Sequence, residues 1–92
     1  MSDIIDNRAQ HRFEWDVDGH LATEHYKREA GVIALQHTEV PPELGGRGIG
    51  SKLVKGVLDQ VRREGLKVIP QCDFVKSWID KHPDYADLVQ AQ

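Results

Sequence analysis

A single α+β domain with elements in the order β-β-β-α-β-α is the fold class this sequence predicts. Three observations carry that reading. Residues 12–29 alternate with period two, a glycine cluster follows an apolar extended stretch, and six apolar residues then recur at helical spacing. Ninety-two residues supply one hydrophobic core and are too few for two.

Taken in order, residues 1–10 are polar and poorly patterned, so a frayed lead-in is expected there and the domain proper over 11–92. Phe13, Trp15 and Val17 then alternate with Arg12, Glu14 and Asp16, the pattern of a half-buried strand. Asp18-Gly19 signals a type I′ hairpin. The returning strand covers 20–29, with Leu21, Thr23, His25 and Lys27 on one face and Ala22, Glu24, Tyr26 and Arg28 on the other. After a turn at Glu29-Ala30-Gly31, Val32-Ile33-Ala34-Leu35 opens a third strand, apolar on both faces and therefore central. It stays extended to Val40, where Pro41-Pro42 ends it. The result is a three-stranded antiparallel meander.

Beyond the glycines, Ile49, Leu53, Val54, Val57, Leu58 and Val61 line one helical face, and Gly65 is placed to close the helix. Residues 66–69 read as a fourth strand, parallel to the third because a helix intervenes. Asp73 is placed to cap a second helix over 74–81, with Phe74, Val75, Trp78 and Ile79 inward. His82-Pro83 stops it, and residues 85–89 form a short terminal strand or a loop.

Composition excludes several function classes. A net charge of −3 gives no drive toward nucleic acid or an anionic membrane, and Arg62-Arg63 reads as a solvated face. No apolar run approaches the ~20 residues of a membrane span. The first residues lack the basic and apolar regions of a signal peptide. One cysteine forms no internal disulfide, and His11, His20, His25 and His82 have no metal-ligand spacing. The expectation is a cytoplasmic protein without a metal, a monomer or weak dimer.

Four of the eight glycines fall within residues 45–50. Such a loop, running into a helix start, presents backbone N–H groups and the positive end of a helix dipole to an anion. The P-loop pattern fails because Ser51-Lys52 stand in the wrong order. The dinucleotide fingerprint fails because its third glycine would be Ser51 or Leu53. The pattern Arg/Gln-x-x-Gly-x-Gly/Ala between a central strand and a helix is met at Gly48-Ile49-Gly50.

With His37-Thr38-Glu39-Val40-Pro41 before that loop, and Val68-Ile69-Pro70-Gln71-Cys72, Phe74-Val75 and His82-Pro83-Asp84-Tyr85 after it, the chain resembles the GCN5-related N-acetyltransferases. Within them it is similar to a group of very small single-domain members. The resemblance implies a minimal fold of that kind and acetyl-CoA as the acyl donor, with an amine acceptor left open. It implies that Val40 lends backbone contacts to the pantetheine arm and that Gly45, Gly46, Arg47, Gly48, Ile49, Gly50 and Ser51 surround the pyrophosphate. Gly45 departs from the wider pattern, which has Arg or Gln there. That shifts the expected hold on phosphate to backbone donors and Arg47.

Amine acetylation requires a neutral amine, a stabilised oxyanion and a proton for the leaving thiolate. The resemblance also implies that the third and fourth strands part to admit the acetyl thioester, and Cys72, His37 and Glu39 are the catalytic candidates near that place. Cys72 precedes a helix start, where the dipole favours thiolate. In the resembling group a cysteine there is a general acid or an acetyl-carrying nucleophile, whereas read alone a cysteine is more often an inert buried packing residue. His37 suits a base working at neutral pH, or is a strand histidine satisfied by a neighbour. Glu39 shares its face and would orient it, or is an edge charge facing water. A CoA-binding or acyl-sensing module without efficient turnover is the alternative function.

Overall fold

The computed structural model describes residues 3–90. A five-stranded sheet runs in sequence order, β1 (Ile5–Asn7), β2 (Arg12–Val17), β3 (His20–Glu29), β4 (Val32–Glu39) and β5 (Lys67–Pro70). Neighbours β1 to β4 are antiparallel and β5 joins β4 in parallel. Helix α1 (Ile49–Arg63) makes the crossover between β4 and β5, and α2 (Asp73–Asp80) follows β5.

Both turn and helix chemistry act as the sequence requires. Asp18 and Gly19 have φ of 53° and 80°, so both centres of the β2–β3 hairpin are left-handed, as a type I′ turn demands. The six apolar residues of α1 are all buried. They form one continuous core with Phe13, Trp15, Ala22, Tyr26, Ile33, Leu35 and Val68 from the sheet and Val75, Trp78 and Ile79 from α2. Truncating a core leucine such as Leu53 costs about 2–5 kcal/mol.

Four expectations are corrected. The lead-in is not frayed over residues 5–10: β1 pairs with β2 and Arg8–Gln10 form a 3-10 turn, making four antiparallel strands in place of three. The cause is tertiary. Gly56 leaves room on α1 for Ile4, whose Cδ1 lies 2.2 Å from where a Cβ would stand, and Gln60 Nε2 donates to Ile4 O at 3.0 Å. Residues 1 and 2, the rest of that lead-in, lie outside the described residues, as do residues 91 and 92. Secondly, α2 starts one residue earlier than expected, so Cys72 holds the N-cap position and Asp73 the first helical one. Thirdly, Phe74 is 45% exposed, because the core-facing stripe of α2 is Val75, Trp78 and Ile79. Lastly, the terminal segment is a 3-10 helix (Pro83–Leu88) that ends in a single bridge from Val89 to Val68.

The irregularity that matters most lies in β4. His25 pairs with His37 but Tyr26 pairs with Leu35, so Gln36 is the extra residue of a bulge. Ile33 and Leu35 point into the core, and unbroken alternation would send His37 and Glu39 after them. The bulge reverses the phase, so Thr38 turns inward opposite Glu24 while His37 and Glu39 turn outward.

Candidate functional site

The glycine loop is pinned at both ends. Leu44, in the 3-10 turn Pro42–Leu44, is 1% exposed, and Ile49 at the start of α1 is 4% exposed. Between them the backbone is bare. Gly46 and Gly48 have φ of 77° and 70°, and a Cβ at either would meet nothing within 4 Å. Gly48 is the N-cap of α1 and no side chain caps that end. The N–H groups of the first turn, at Gly48, Ile49, Gly50 and Ser51, therefore have no partner within the helix. Gly50 is needed for a different reason: a Cβ there would lie 2.9 Å from Phe74 Cζ and 3.5 Å from Val40 Cγ2. The loop, the end of β4 and the exposed ring of Phe74 thus meet at one place.

Three of the expected phosphate contacts have other partners. The Gly45 N–H donates to Pro42 O at 3.0 Å, closing the 3-10 turn. Arg47 Nη1 is 2.8 Å from Asp18 Oδ2 on the hairpin tip, an exposed ion pair. The Ser51 hydroxyl accepts a hydrogen bond from Trp78 Nε1 at 2.8 Å, which ties α2 to the first turn of α1. The Ser51 backbone N–H and the whole Gly45–Gly46 segment stay at the loop surface, while Arg47 must leave Asp18 to reach an anion.

Strands β4 and β5 share only four rungs, Val32 with Lys67 through Leu35 with Pro70. Leu35 O then accepts from both Gln71 N and Cys72 N, at 3.0 and 2.9 Å, and closes the paired region. Beyond it β4 runs on with β3 as its only partner strand. The base of this cleft holds Cys72, a buried free thiol 9% exposed. Cys72 Sγ lies 3.3 Å from Thr38 Oγ1, and the same hydroxyl hydrogen-bonds Glu24 Oε1.

Glu24 is fully buried, and its Oε2 has no hydrogen-bond partner. Burial pushes its pKa up to about 8, against the opposing pull of hydrogen bonds from Thr38 and the His37 backbone. Its carboxyl is therefore mostly protonated at neutral pH. The sequence phase places Glu24 on one face with Ala22 and Tyr26, which was the available signal for a buried acid. Thr38 carried no such signal, because only the bulge turns it inward.

His37 and Glu39 form their own pair on the opposite face of β4. His37 Nε2 is 3.2 Å from Glu39 Oε1, and both side chains are 61% exposed. The His25 ring lies 5.9 Å from that of His37. The structure therefore brings His37 together with Glu39, and Cys72 together with Thr38 and Glu24, but puts the two groups on different faces of the strand.

A cavity of about 630 Å³ lies elsewhere, lined by Arg8, His11, Tyr26, Lys27, Arg28 and Gln36. Its cations are already engaged: Arg8 and Arg28 with Asp6 and Glu64, and Lys27 with Glu29. It holds none of the thiol, loop or helix-terminus groups, so the cleft and loop are the stronger site. No group of metal-ligating side chains occurs among the described residues. No helix is long and apolar enough to cross a membrane.

Comparison with known proteins agrees with this fold. Residues 12–88 match the family model described as GCN5-related N-acetyl-transferase. The chain is 40% identical over 52 residues to Protein NATD1 of Gallus gallus, Mus musculus and Homo sapiens, a match covering 56% of this chain. It spans about half the length of those relatives, 47%, 47% and 46% respectively. Its fold is similar to the solution structure of a "GCN5-like putative N-acetyltransferase" from Staphylococcus aureus, with TM-score 0.72 and 33% identity. That likeness covers 100% of this chain and 93% of the other.

Proposed function

This chain belongs to the GCN5-related N-acetyltransferase family, and from that premise we propose that it transfers an acetyl group from acetyl-CoA to an amine. One observation carries the proposal: a bare glycine loop at an uncapped helix start adjoins the cleft where β4 and β5 part, with a thiol at its base. The loop fits a pyrophosphate because Gly46 and Gly48 leave their Cβ directions empty beside the N–H groups of the first helical turn.

In this reading Gly46, Gly48, Ile49, Gly50 and Ser51 hold the pyrophosphate through backbone N–H groups, Gly45, whose own N–H is given to Pro42 O, keeps the loop edge free of a side chain, and Arg47 exchanges Asp18 for phosphate. Val40 and the end of β4 align the pantetheine arm. When bound, acetyl-CoA supplies the activated acetyl thioester. Backbone N–H groups at the strand separation stabilise the negative charge that develops on the acetyl oxygen. His37, oriented by Glu39, takes the proton of the incoming amine at the outer face. Cys72 donates its thiol proton to the departing sulfur. The site needs no membrane or nucleic acid, and a cytoplasmic location suits it.

The test is thermal unfolding with and without acetyl-CoA, followed by acetylation of a panel of amines. Ligand at ~100 times its dissociation constant adds about 2.7 kcal/mol of stability, which raises the midpoint of a domain this size by roughly 10 °C or more. Gly50→Asp, which drives a charged side chain against Phe74, abolishes the shift. Cys72→Ala keeps the shift and lowers turnover. Stabilisation without any acetylated amine would overturn transfer and leave a CoA-binding module; no stabilisation would overturn both.

A further inference from the structure

Beneath the cleft lies a polar group that the reaction as described leaves unused. Glu24 is the most deeply buried charged residue of the chain, with no exposed surface. Four elements enclose it. Strand β2 places Phe13 directly across from it, and β4 supplies the Thr38 hydroxyl and the His37 backbone N–H. The buried side chains of α1 are all apolar, and the start of α2 supplies Cys72. The titratable side chains facing it are therefore Cys72, through Thr38, and Tyr26 on its own strand. Tyr26 is turned to Asp6 and Arg28. No cation balances Glu24, and its Oε2 is orphaned. An acid in that position costs stability whenever it ionises.

We propose that Glu24 is a positioning residue and buried proton store for Cys72, connected to it through the Thr38 hydroxyl. The inference rests on Cys72 acting as the proton donor to the leaving sulfur. A single hydroxyl proton serves the chain Glu24–Thr38–Cys72 in either of two directions. With the thiol intact, Thr38 donates to Glu24 Oε1, so the acid proton sits on Oε2, and Thr38 accepts from Cys72. Once Cys72 has given up its proton, Thr38 Oγ1 turns its own to Sγ and transfers it, and the Glu24 carboxyl group rotates to bring its acid proton to Thr38 Oγ1 in replacement. The S–H bond is remade, the acid O–H bond is broken, and Glu24 is left as the carboxylate. After product leaves, a proton from solvent enters at Cys72 and returns along the same path to Glu24. The amine proton leaves by His37, so atoms and charge balance over the cycle. An occupied cleft cuts Cys72 off from water, and the store beneath it supplies the proton from inside.

The experiment follows the Cys72 Cβ and Glu24 Cδ resonances by ¹³C NMR from acid to alkaline pH, with no ligand present. One cysteine in 92 residues makes the thiol signal unambiguous. In the native chain the Cys72 Cβ resonance moves at the Glu24 inflection, which it reports through Thr38. Glu24→Gln removes that movement from the Cys72 curve. Thr38→Val breaks the coincidence, and Thr38→Ser, which keeps the hydroxyl, recovers it. Identical Cys72 curves in the native chain and Glu24→Gln would overturn the relay. So would a coupled curve that survives Thr38→Val unchanged. In turnover, Glu24→Gln and Thr38→Val lower kcat about tenfold while KM for acetyl-CoA holds. If the native chain acetylates nothing, the transfer reading fails while the titration still judges the relay.

Discussion

The two faces of the sheet at β3 and β4 hold acids under opposite conditions. Glu39 stands in water beside His37, both 61% exposed, and such a pair is worth about 0–1 kcal/mol. Glu24, one strand away and facing inward opposite Thr38, has no water and no cation. The same side-chain chemistry is a solvated partner of a histidine on one face and a protonated, stability-limiting group on the other. Dielectric and hydration decide between them, and a single bulge decides which residues of β4 meet which environment.

Removing the bulge breaks the comparison outright. Inserting one alanine between His25 and Tyr26 gives Gln36 a partner and makes the ladder regular, turning His25 and His37 into the core and Glu24 and Thr38 out of it. The expected loss is about 3 kcal/mol or more, since two histidines are then buried without partners. Urea unfolding of the insertion variant measures it, and near-native stability would mean the bulge does not set the phase.

A change of pH sharpens the comparison. Glu24 binds its proton more tightly folded than unfolded, with a folded pKa of about 8 against 4.5. Its contribution is therefore fully present below pH 4.5 and is lost as pH rises through 8. The decline is on the order of 4 kcal/mol, a large share of a small domain's total. Glu24→Gln, which does not titrate, flattens it. Unfolding free energies of both chains from pH 5 to 9 test this, and parallel curves would refute it.

The smallest effect belongs to the outer pair. Replacing His37 and Glu39 together by alanine changes stability by no more than about 1 kcal/mol, while turnover falls if His37 receives the amine proton. Comparing the unfolding midpoint with kcat in the double variant separates the two roles.

Much of this was legible from residues alone. The alternation from Phe13 to Val17 and the Asp18-Gly19 turn mark the hairpin. The six apolar positions of α1 mark its buried face, since local geometry maps such spacing onto one side of a helix. The glycine cluster and the lone cysteine drew attention to the two ends of the site. β1 escaped because Ile5–Asn7 has too few residues to show a period, and its docking depends on Gly56, far along the chain. Phe74 looked like core by its apolarity, but a helix chooses its buried stripe by what lies beneath it.

The sequence by itself determined strands β2 to β5 and helices α1 and α2 to within a residue or two, the β2–β3 hairpin turn, and that bare backbone meets a helix start at Gly48. Those are local properties, set by side-chain period and by φ. Only the tertiary structure decided that Gln36 bulges, that Thr38 therefore faces Glu24, and that this pair reaches Cys72 from another element. Strand register and burial are joint properties of segments remote in sequence, and an acid's protonation follows from the water that packing leaves around it.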